Sequence, residues 1–222
     1  AWPMWQQIFD RLRLIRMAQV NLDILIRSVL LQAGFVSFLF FGADLGDVTL
    51  AANQVLLQFV YTASYAMDGF VFAAESLVGQ AMGARAMAQL RRGAFVIAIW
   101  AFGSAVFMAA MFWAFGPVVI DVMAKDARVQ EAARMYLPHI ALAPMLGALA
   151  WMLDGVFIGA TCTRDMRNMM IVSFLGYCVL VALLLPGLGN HGLWLAMNGF
   201  FLLRGMSLAL RYPALERAAT CP

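Results

Sequence analysis

The sequence predicts an all-α integral membrane protein with six transmembrane helices, on three observations. Of its 222 residues, 64% are hydrophobic and 12% charged, against about 25% charged in soluble domains, and the mean hydropathy is +0.83. Apolar runs of about 20 residues, the length a helix needs to cross a bilayer, recur along the chain. Alternation with period two over short runs, which marks a membrane barrel, is missing.

The elements follow in order. Residues 1–20 form a polar, basic lead-in in which Arg11, Arg13 and Arg16 alternate with apolar positions. This spacing predicts a short amphipathic helix lying on the cytoplasmic surface, with a plain linker as the alternative. Span one covers about 21–41, with Asn21 as its N-cap and Asp23 placed to pair with Arg27 one turn on. The loop to residue 48 is acidic, with Asp44 and Asp47. Span two covers 50–82 and span three 93–115, where Gly116-Pro117 is expected to stop it. A charged interfacial segment from Val118 to Arg134 follows. Span four, about 132–160, contains Pro138 and Pro144 and is expected to bend. Span five covers about 169–185, ended by Pro186-Gly187. Span six covers about 193–210, and Arg204 within it is expected to snorkel toward the cytoplasmic side. The six-helix unit is thus 21–212, with 213–222 a short polar tail. Trp2, Trp5, Trp113 and Trp194 are placed near membrane interfaces.

Charge sets the orientation. The lead-in, the loops after spans two and four, and the tail hold ten arginines, against Lys125, Arg128 and Arg134 on the other side. The excess of basic residues places both termini in the cytoplasm.

Most of the polar chemistry inside the membrane sits on span two. Gln54, Gln58, Tyr61, Tyr65, Asp68, Phe72 and Glu75 follow one another at alternating steps of four and three, so they share one helix face. A carboxylate at the bilayer centre costs at least about 2.5 kcal/mol, so Asp68 and Glu75 should meet a wet cavity or another helix. Two readings stand: a polar pathway in which one of them takes up a proton or cation, or contacts that cap packing near a membrane edge. The second is favoured for Glu75. On span four, Asp154 reads equally as a helix-end ion pair, with Arg164 and Arg167 close by, or as transport chemistry. His139 reads as a hydrogen-bonded interfacial residue ahead of a proton relay.

Several classes lack their motifs. There is no Walker loop, GxGxxG, HExxH, EF-hand or GxSxG. Cys162, Cys178 and Cys221 form no metal-like cluster, and no disulfide is expected. A net charge of +3, carried in loops, gives no nucleic-acid footprint. No cofactor is implied; an ion gradient would supply the energy of any transport.

Longer motifs carry a resemblance. Residues 42–58, GADLGDVTLAANQVLLQ, then Asp68-Gly-Phe, residues 75–85 (ESLVGQAMGAR), residues 152–161 (MLDGVFIGAT) and Arg164-Asp-Met-Arg-Asn resemble the multidrug and toxic compound extrusion (MATE) family, in its DinF-like branch. The similarity runs from about Met17 to Glu216. The resemblance implies one lobe of a twelve-helix transporter, the C-terminal one, with the lead-in as the inter-lobe linker. It implies efflux of small amphipathic or cationic compounds by alternating access, in exchange for protons or sodium ions, with the N-terminal six-helix lobe and the lipid bilayer as partners. The branch's ion-coupling aspartate belongs to the other lobe, so no residue here inherits that role. A lipid-linked oligosaccharide flippase of the same superfamily, and a non-transporting membrane module, are the alternatives.

Overall fold

A computed structural model describes residues 10–220; the expectations for Trp2, Trp5 and Cys221 lie outside them. Those residues form six helices and no strand: α1 Arg11–Ala43, α2 Asp47–Gly83, α3 Met87–Met123, α4 Ala127–Gly159, α5 Thr163–Leu188 and α6 Asn190–Thr220. All six are long and apolar enough to cross a membrane. Their very short connections make neighbours in sequence antiparallel, so α2, α4 and α6 run in one direction.

Several boundaries differ from expectation. Asp10, not Asn21, caps α1, accepting from the Leu12 amide at 3.0 Å. Thus α1 runs from Arg11 across residue 20 without a break, and the described part of the lead-in continues the first span. Pro117 lies inside α3 and Pro186 inside α5, so neither Gly-Pro nor Pro-Gly ends its helix. Membrane helices tolerate such prolines where neighbouring helices, hydroxyl side chains or local adjustments of the backbone meet the carbonyl that is freed. The charged segment after α3 is therefore mostly the last turn of α3 and the first turns of α4. In the same way α6 continues across residue 212 into the polar tail.

Two of the turns are alike. After Gly83-Ala84 and Gly159-Ala160, Arg85 and Thr161 take positive φ of 53° and 56°. In each, the next amide reaches back to close the helix: Ala86 to the Ala81 carbonyl and Cys162 to Phe157, both at 2.9 Å. This is the left-handed cap that satisfies the last carbonyls of a helix. Both turns lie at the end of the bundle where the arginines collect.

Helix α4 is the axis of the bundle. It packs on α2, α3 and α6, while α5 lies between α6 and α1. Gly155 and Gly159 make the α2 contact possible: a Cβ on either would collide with the backbone of Val71 or Glu75. Small residues four apart let membrane helices approach to backbone contact. One core half gathers Phe38, Leu56, Tyr177, Trp194, Phe200 and Phe201. The other, nearer the arginine-rich end, gathers Met67, Val78, Leu90, Phe157 and Leu208. Trp194 is 1% exposed, so it is a core residue and not an interfacial anchor. Its indole donates to Asn53 Oδ1 at 2.9 Å, and Asn53 and Asn190 exchange bonds of 2.7 and 2.9 Å. These close a buried polar knot joining α2 to α6.

Candidate functional site

The outer surface divides by chemistry. Phe95, Ile99, Trp100, Phe107 and Trp113 are exposed along α3, and Val172, Leu175, Val179 and Leu183 along α5; both faces suit lipid. The exposed face of α2 is different. Gln54, Gln58, Tyr65 and Phe72 are exposed and Tyr61, Asp68 and Glu75 half-exposed. Leu56, Leu57, Val60 and Ala74 point into the core. Among the described residues, neither Asp68 nor Glu75 has a hydrogen-bond or ion-pair partner. A stripe that repeats every 3.5 residues drifts about 20° per heptad around an α-helix, so it does not face one hollow throughout. Gln58 borders a hollow of about 300 Å³ with Thr62 and Phe112. Tyr61 stacks toward α1, its ring 5.4 Å from Phe35.

Asp154 sits elsewhere. It is 2% exposed, and its Oδ2 accepts from both Arg27 on α1 and Arg204 on α6. Two expectations are corrected. Arg204 is 1% exposed and held inward by the carboxylate, so it does not snorkel. Arg27 does not pair with Asp23, because the two point to different neighbours. Asp23 instead accepts from Arg167 at 2.6 Å and Thr163 at 3.1 Å, both on α5. The ion-pair reading of Asp154 holds, but its partners come from α1 and α6 and not from Arg164 or Arg167. Further pairs at this end are Asp165 with Arg211 at 3.0 Å and Arg91 with Glu216 at 2.8 Å.

The depth of this triad follows from the contacts above. From the Phe35–Tyr61 contact, Arg27 lies eight residues along α1 and Asp68 seven along α2, in the same direction. At 1.5 Å per residue these are about 12 and 10 Å, so the triad and Asp68 share a depth. The arginine on α1 was legible; its partners were not.

Sequence reading also missed a contact at the opposite end. His139 Nε2 lies 3.0 Å from His191 Nδ1, Tyr136 meets His191 edge to face with centroids 4.8 Å apart, and Asn198 donates to the His139 carbonyl at 3.0 Å. His139 is thus hydrogen-bonded, joining α4 to α6. Outside the helices, burial pushes the Cys162 thiol up from its ordinary pKa, aided by the charge of Asp165. The Arg128 hydrogen bond draws Asp126 down.

A bundle of six spanning helices with one polar, unpartnered face is the form of a polytopic membrane protein built to meet something across that face. Residues 24–186 match the MatE family, and the chain belongs to it. It is 38% identical over 200 residues to DNA damage-inducible protein F of Escherichia coli (strain K12), across 87% of this chain and 42% of that protein. Its fold matches the Vibrio cholerae MATE transporter VcmN in the bent form, with a TM-score of 0.88 at 15% identity, over 97% of this chain and 50% of that one. It also matches a MOP superfamily transporter from Pyrococcus furiosus, with a TM-score of 0.79 at 16% identity, over 89% and 44%. The chain spans about half the length of these relatives, as one lobe of a two-lobe transporter does. It is an integral membrane protein of a transporter family, not an enzyme.

Proposed function

We propose that the chain is the C-terminal half of a cation-coupled efflux transporter for small amphipathic or cationic compounds, working by alternating access. The observation that carries this is the exposed face of α2, where Asp68 and Glu75 stand without partners in a chain half as long as its relatives. Intramembrane carboxylates are too costly to leave against lipid, so the second, N-terminal lobe covers this face and encloses a wet cavity. Substrate sites between repeats are the rule in secondary transporters. Tyr61, Tyr65 and Phe72 offer aromatic surface to varied ligands, and Gln54 and Gln58 offer hydrogen bonds. Asp68 exchanges a proton or sodium ion across the cavity, driven by the gradient and with no cofactor. Asp154 supports the lobe from within. The membrane is the bacterial plasma membrane, with both termini cytoplasmic; 1–20 links the lobes and 213–222 is the tail.

The test is efflux of a fluorescent cationic dye by the full-length protein carrying Asp68→Asn, followed across external pH. Slower efflux with a flattened pH profile supports the reading. Wild-type efflux with an unchanged pH profile removes Asp68 from the mechanism.

A further inference from the structure

Arg27 and Arg204 converge on one oxygen of Asp154. Two guanidinium groups on one carboxylate leave a positive charge in excess. Arginine stays protonated in proteins, so the pair cannot shed it. Among the described residues no second carboxylate pairs with either arginine. Donors are in excess as well: Arg27 Nε, Arg204 Nε and Arg204 Nη1 are buried without an acceptor, against a single unpartnered acceptor beside them, Asp154 Oδ1. Buried donors are nearly always satisfied in native proteins, and orphans call for an explanation.

The triad is not sealed. The Arg27 side chain is 16% exposed, and its Nη1 neither bonds to the protein nor counts among the enclosed atoms. Helix α1 lies against α5 and meets α2 sparsely, so the opening beside Arg27 is on the α2 side. That is the side where Tyr65 and Phe72 are exposed, at about the depth of Asp68. Asp68 and Glu75 stand on the α2 wall, which confines an anion to the α1 wall.

We propose that Arg27 and Arg204 form an oxyanion site, entered from the cleft between α1 and α2, that takes the carboxylate or phosphate of an anionic amphiphile. Its apolar body lies along Tyr65 and Phe72. The incoming oxygens accept from Arg27 Nη1 and share the Arg204 guanidinium with Asp154, which supplies a further acceptor and the missing charge together. The role of such a ligand as a substrate rests on the exporter reading; its binding does not.

The test is equilibrium binding of radiolabelled dodecanoate to the full-length protein in phosphatidylcholine nanodiscs, with dodecyltrimethylammonium as the cationic control. Arg27→Gln should weaken dodecanoate at least ~10-fold, the loss of one charge-assisted bond, and leave the ammonium compound unchanged. Arg27→Lys should fall between. Asp154→Asn, which frees both guanidinium groups, should tighten dodecanoate. Weakening in both Arg27→Gln and Asp154→Asn marks the triad as a structural clamp only and overturns the proposal. Equal binding of the two amphiphiles, or dodecanoate binding indifferent to Arg27→Gln, also overturns it. Repeating the titration with phosphatidylglycerol in the nanodisc separates the sources: competition identifies a lipid headgroup as occupant, and its absence a free amphiphile. Dye efflux that survives while dodecanoate fails to bind leaves the exporter reading standing without this site. Dodecanoate binding in a protein that moves no dye does the reverse.

Discussion

Asp154 is the residue whose removal should cost this lobe most. Its carboxylate holds α1 and α6 onto α4 through Arg27 and Arg204. Asp154→Asn keeps the shape and one acceptor but leaves two cations facing each other in the interior. Removing one partner of a buried ion pair costs about 3–5 kcal/mol. At about 2–4 °C per kcal/mol for a chain of this size, the melting temperature should fall by ~6–20 °C. The arginines should behave differently. Arg204→Met leaves a neutral Arg27–Asp154 pair and a side chain of similar reach, so it should cost less than half as much. The large cost of breaking a buried pair comes from the uncompensated charge left behind, and Arg204→Met leaves none. The assay is fluorescence-detected size exclusion of the full-length protein after stepped heating, comparing wild type with each variant. Wild-type melting of Asp154→Asn would refute the charge argument. So would Arg204→Met melting as low as Asp154→Asn, since packing would then outweigh charge balance.

Three further outcomes follow from the structure. Gly155→Val and Gly159→Val force α4 away from the α2 backbone, an overpacking expected to cost at least about 1–3 kcal/mol; Gly103→Ala, which meets nothing within 4 Å, should be neutral or slightly stabilising, and the same melting assay ranks them. Asn53→Ala strands the Trp194 indole and the Asn190 amide inside the bundle, at about 1–3 kcal/mol for each unsatisfied group, and should lower the melting temperature more than Asn198→Ala does. The raised pKa of Cys162 means less thiolate at a given pH, so in a chain with Cys178 and Cys221 replaced by Ala, alkylation should lag a free cysteine near pH 8 and keep rising at pH above the ordinary thiol range. Mass spectrometry of the maleimide adduct checks this; a rate equal to free cysteine would place the thiol in water.

The helices were legible because hydrophobic length is a local property, written in the twenty residues that cross the bilayer. Where they end was less legible, because water-based signals lose force there. Gly116-Pro117 would stop a soluble helix, but Gly116 lies over Leu137 of α4, and α3 continues past it. The exposed stripe of α2 was legible for a related reason: polar residues are so rare in these spans that their spacing stands out. The buried polar contacts were not legible. Asp23 and Arg27 are one turn apart, and i to i+4 pairing is the sensible local expectation. In the bundle each turns instead to a residue more than a hundred positions away, Arg167 for one and Asp154 for the other. The histidine pair shows the same limit, its members 52 residues apart. In water, such long-range pairs compete with solvent and are worth little when exposed. Inside a membrane the alternative for each group is an unsatisfied charge, so tertiary partners override the local ones. Charged residues in a span thus reveal that a partner exists without naming it. Arg27 and Arg204, having found one carboxylate between them, still point to a missing anion.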